Sequence, residues 1–156
     1  MKAKKRLIVI FTLLLITAIA QPFAFPKTTN AETIYMPPEK SREELYQDIF
    51  ISLMMPKIDE RVAKYYKNVL TKAPMVYPYM VYIEKAERIG EYRSFEFMLT
   101  VKVYPVVGPH IEVGQDRLKI YVSGGGKVEI KQYEHIKDYE LPDHWKNIKK
   151  INPSAH

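Results

Sequence analysis

The sequence predicts an α+β domain in which two N-terminal helices pack on one face of a four-stranded antiparallel meander sheet, after a cleavable signal peptide. Three observations carry that expectation. Apolar residues recur every three to four positions between Leu45 and Leu70, the period of a helix with a dry face. From about Tyr79 the period drops to two, as in strands wet on one side. The first 31 residues join Lys2, Lys4, Lys5 and Arg6 to an uncharged, mostly apolar run of 14 residues ending at Ala20, the layout of an export signal.

That run is short for a bilayer span, which needs about 20 apolar residues. Pro22 and Pro26 interrupt any helix beyond it, and Thr29-Asn30-Ala31 offers small residues for cleavage before Glu32. Retention as an N-terminal membrane anchor is the alternative. The expected layout is a signal over 1–31, an extended lead-in over 32–40, one α+β domain over 41–151 and a flexible tail over 152–156.

Removal of the signal changes the charge. The chain has 24 basic and 18 acidic residues, but five of the bases and none of the acids lie in the first 31 positions. The remainder is near neutral, so nucleic acid is not expected as a partner. With no cysteine in the chain, the exported fold must hold by burial alone.

Ser41 is placed to cap the first helix, with Glu44 reaching back. Leu45, Ile49 and Leu53 form one apolar row and Tyr46, Phe50 and Met54 the next, so this helix is expected at the centre of the core. Pro56 is expected to end or kink it and suits the first turn of a second helix, whose dry stripe is Ile58, Val62, Tyr65, Tyr66, Val69 and Leu70. Glu60 and Lys64 are ordered for an i,i+4 pair.

In the sheet, Val81 and Ile83 alternate with Tyr82 and Glu84, and a turn follows near Gly90. Phe95, Phe97, Leu99, Val101 and Val103 are expected on the core face of the next strand. A three-residue Gly124–Gly126 loop sets Val122 against Val128, Ile120 against Ile130 and Lys119 against Lys131. A short terminal helix over 141–148 would seat Trp145 and Ile148. Cystatin-like and NTF2-like folds share this outline, which carries no function with it.

Few residues suggest chemistry. His110 and Asp116 lie in a Gly- and Pro-punctuated connection that could host acid–base work, or simply turn the chain. The four histidines are scattered and offer no metal spacing, and no cofactor is expected. All 12 tyrosines follow residue 31. By alternation Tyr82, Tyr104, Tyr121 and Tyr133 share the sheet face opposite the core, as an aromatic platform for cell-wall glycan or a surface protein, or as cover for a half-wet sheet.

Several strings recur together in a known family. Leu45-Tyr46-Gln47-Asp48-Ile49-Phe50-Ile51-Ser52-Leu53 before Pro56, then Tyr65-Tyr66, Pro78-Tyr79, Arg93-Ser94-Phe95-Glu96-Phe97, and Gly108-Pro109-His110 through Val113-Gly114-Gln115-Asp116 resemble the bacterial domain-of-unknown-function family 3888. The resemblance spans roughly residues 41–141. It implies a small exported protein of Gram-positive bacteria and assigns no role to any residue. Because the folding pattern is complete without a convergent catalytic set, the reading is an exported, non-enzymatic binding module at the cell surface or in the medium, touching membrane only through an uncleaved signal. A small NTF2-like hydrolase or lyase with His110 as base is the alternative.

Overall fold

One long helix, α1 (Arg42–Tyr66), lies against a four-stranded antiparallel sheet in the computed structural model, which describes Ile34 and residues 36–150. The expected signal over 1–31 and the tail over 152–156 lie outside the described residues. The strands are β1 (Val81–Arg88), β2 (Glu96–Val103), β5 (Gly114–Ser123) and β6 (Val128–Asp138), in the order β1-β2-β5-β6. Between β2 and β5 the connection forms a small hairpin, β3 (Val106–Val107) and β4 (Ile111–Glu112), where a loop was expected. Short 3-10 segments cover Pro78–Met80 and Asp143–Ile148; the latter buries Ile148 and lays Trp145 on the core.

The cap forms as its residues dictate. Ser41 Oγ accepts from the Glu44 N–H at 3.0 Å, and Glu44 Oε2 accepts from the Lys40 N–H at 2.5 Å. Pro56, however, does not divide the helix in two. A proline inside a helix costs about 3 kcal/mol, because it removes one hydrogen bond and crowds the preceding turn. Here Pro56 and Ser52 are both on the exposed side, so water can reach the carbonyl left without a donor. Met54, Met55 and Ile58 are buried on either side of it, each worth about 1.5–3 kcal/mol, enough to carry the helix through. The helix ends at Tyr66; Val69 follows in the turn and Leu70 in a β-bridge to Lys149. Glu60 pairs with Lys57 at 3.0 Å, in place of the expected Lys64.

Burial corrects the expected core. Ile51, Met54, Met55, Ile58, Val62 and Tyr66 face the sheet. Leu45, Tyr46, Ile49 and Leu53 are exposed at 56, 60, 50 and 71 %. At about 100° per residue these four point some 180° away from the buried set. The first row read as core is therefore bare, and the helix is apolar on two opposite sides. On the sheet, Leu99, Val101, Val103, Leu118 and Ile120 are buried, whereas Phe95 lies before β2 and is exposed.

The β5–β6 hairpin keeps the expected loop and its first two pairs, Val122 with Val128 and Ile120 with Ile130. Gly126, at φ +76°, closes the turn in a conformation that suits glycine. Beyond Ile130 the register slips. Lys119 pairs with Gln132, so Lys131 is a bulge, and a second slip leaves Ile136 unpaired. One extra residue turns Tyr133 from the outer face, where alternation placed it, to the helix side. A third bulge, at Glu84, lies in β1.

Candidate functional site

The bulge at Lys131 brings β6 side chains onto α1 and assembles a polar cluster at the C-terminal end of the helix. Asp116 and His135 face one another across β5 and β6. Asp116 is 0 % exposed, and its Oδ1 lies 2.7 Å from His135 Nδ1. The Tyr65 ring stacks on the imidazole at 4.9 Å between centroids, and Tyr66 meets it edge-on at 6.0 Å. Tyr133 lies 5.1 Å from Tyr65, with the Arg61 guanidinium 4.0 Å above its ring. His135 Nε2 is 3.2 Å from Asp138 Oδ1 and makes no hydrogen bond.

Asp116 Oδ2 and the Tyr66 and Tyr133 hydroxyls are buried with no hydrogen bond of ordinary geometry. Burial raises the Asp116 carboxyl above its usual range, and the donors around it, His135 first, only partly reverse this. Burial and the nearby Asp116 charge push both phenols upward, which keeps them protonated. Gly114 makes room for the cluster. A Cβ there would stand 2.6 Å from the Tyr66 hydroxyl and 2.7 Å from the Lys137 carbonyl.

The arrangement orients an imidazole with a buried carboxylate, but Tyr65 lies flat on the ring and the outer nitrogen is enclosed beside Asp138. No group of three His, Cys, Asp or Glu residues suited to a metal ion occurs among the described residues. The ring contacts of Arg61, Tyr65 and Tyr66 with Tyr133 and His135 join the end of the helix to β6.

The residues singled out in the sequence do not converge. Asp116 belongs to this cluster, whereas His110 is exposed at the turn of the β3–β4 hairpin, at φ +63°, with its ring stacked 4.8 Å from Tyr77. Tyr133 joins Asp116 on the helix side. On the open face Tyr82 and Tyr104 meet edge-to-face at 5.6 Å, beside a concavity of about 140 Å³ lined also by Ile34, Met80 and Glu112. Tyr121 lies apart from them, under Lys131 at 5.1 Å. Between the tyrosines, Glu84 binds Lys102 at 2.6 Å and Arg117 at 2.7 Å. Burial pushes Glu84 up, but these two cations bring its carboxyl below the usual range.

His135 and Tyr66 were missed as site residues. Asp116 stands within β5, paired with His135, and not in a loop between strands. It shares parity with Leu118 and Ile120, so continuing the alternation backwards by one step puts it in the core. No comparable signal exists for Tyr133 and His135, because the Lys131 bulge leaves no mark in the residue pattern.

Comparison with known proteins turns up no matching curated protein and no matching solved structure. Residues 46–137, from the bare helix face through Asp116, Tyr133 and His135, match one family over more than half of the chain, and the chain belongs to that family, described as protein of unknown function (DUF3888).

Proposed function

We propose that this protein is a non-enzymatic interaction module that works outside the cell through the bare face of α1. One observation carries the reading: Leu45, Tyr46, Ile49 and Leu53 form a continuous apolar stripe on the side of the helix away from the sheet. Single exposed apolar residues are ordinary, but an aligned stripe marks a surface that another molecule covers. Export, which the N-terminal charge and apolar run support, would place that surface among cell-envelope or extracellular partners.

The other readings have less behind them. A hydrolase using His110 would want that base in a water-poor cleft, and its ring is exposed at a turn. The Tyr82–Tyr104 concavity, at about 140 Å³, is well below the roughly 300–1,000 Å³ of ordinary ligand pockets. Cell fractionation tests the proposal. Wild-type protein should be retained on the envelope or in an assembly, and Ile49→Glu should release it without changing the far-UV circular dichroism. Equal retention of the two would contradict the proposal.

A further inference from the structure

We infer that the molecule covering this stripe is a second copy of the chain, its helix packed antiparallel on the first. The inference rests on the interaction reading above and names its partner. The exposed face follows a seven-residue pattern in which Arg42, Tyr46, Ile49, Leu53, Pro56 and Glu60 are spaced four and three apart along one seam. Its middle is apolar and its ends carry opposite charges.

Charge chooses the partner and the direction. An antiparallel pair with its two-fold axis beside residue 51 sets Ile49 against Leu53 of the other copy, twice. The same register sets Arg42 against Glu60 at both ends of the seam, and Glu43 near Lys57 on its flank. All four charged residues are exposed. A parallel pair would instead set Arg42 on Arg42 and Glu60 on Glu60, which is repulsive. A phospholipid surface would offer phosphate to Arg42 but repel Glu60, so it matches only one end of the seam.

The area is sufficient for a modest dimer. The four bare side chains expose on the order of 500 Å² per copy, or ~1,000 Å² in total, at the lower edge of specific interfaces. The seam lies opposite the sheet, so the domains do not obstruct one another. A dissociation constant in the micromolar range is expected for a contact of this size.

The absence of cysteine makes the test clean. Leu45→Cys and Lys57→Cys chains would be produced separately and together in cells, then treated with a short bis-maleimide. In the antiparallel register position 45 and position 57 of the other copy lie at one height on opposite flanks of the seam, between axes about 8–10 Å apart and within reach of the reagent. Like positions are about 18 Å apart along the seam. Cross-linked dimer should form only in the mixture. Cross-linking of either chain alone would mean a parallel pair and overturn the inference.

Sedimentation of the protein in its naturally processed form supplies the second measurement. Arg42→Glu and Glu60→Arg should each weaken self-association about three- to tenfold, and the double exchange should restore it. A chain that stays monomeric at 100 micromolar-scale concentration and shows no cross-link refutes the second copy. In that event, loss of envelope retention by Ile49→Glu would still uphold the interaction reading, and unchanged retention would remove both.

Discussion

Gly114 shows how closely one residue is tied to the cluster beneath it. Any side chain there meets the Tyr66 hydroxyl and the Lys137 carbonyl below 3.0 Å. Gly114→Ala should therefore destabilise the domain by about 1–3 kcal/mol in thermal or denaturant unfolding. Gly125→Ala, whose nearest neighbour would be Ser123 Oγ at 3.9 Å, should leave stability nearly unchanged. Asp116 makes a different prediction. Its carboxyl is raised by burial, so the unfolded chain ionises it more readily, and its contribution to stability declines as pH rises from about 3.8 through its folded value. Asp116→Asn abolishes this dependence. Relative to wild type, the variant should gain stability as pH increases across that window, and a parallel pH–stability curve would contradict the stated cause.

At the scale of elements, Pro56 and the bulges set how far the sequence could be read. Pro56 sits within α1 at a cost that burial on both sides offsets. Pro56→Ala restores the hydrogen bond to Ser52 and should raise stability by about 1–3 kcal/mol, measured by denaturant midpoint. The sheet was legible where local chemistry settles it: the Gly124–Gly126 loop fixed Val122 on Val128, and strict alternation marked Leu99, Val101 and Val103 as core. The cap at Ser41 was legible for the same reason. The helix break was misread because proline's local preference was weighed without the tertiary burial of Met54, Met55 and Ile58. Tyr133 was misplaced because a single bulge inverts alternation downstream of it. Leu45, Ile49 and Leu53 match a core row without being core, because periodicity reports an apolar face but not what covers it.

For the whole molecule, the helix-bearing side of the sheet supplies the packing and the open side carries a charge network. Glu84 holds β1 to β2 and β5 through Lys102 and Arg117, and Arg117 also reaches Glu134 at 3.5 Å. The folded Glu84 carboxyl lies below its ordinary value of 4.5, so its stabilisation is present above pH 4.5 and is lost as pH falls through the folded value. Glu84→Gln should lower stability at neutral pH by about 1–3 kcal/mol and flatten the acid limb of the pH–stability curve. The cysteine-free domain thus rests on one apolar layer between α1 and the sheet, which leaves the far side of the helix available for association. Adjacent helix positions test that division most directly, by comparing the thermal unfolding of Leu53→Glu and Met54→Glu. At concentrations well below the micromolar range, where the chain is monomeric, Leu53→Glu is expected to unfold within about 0.5 kcal/mol of wild type, and Met54→Glu to lose several kcal/mol or fail to fold. Comparable losses at the two positions would mean that the helix buries both sides and that no bare face exists.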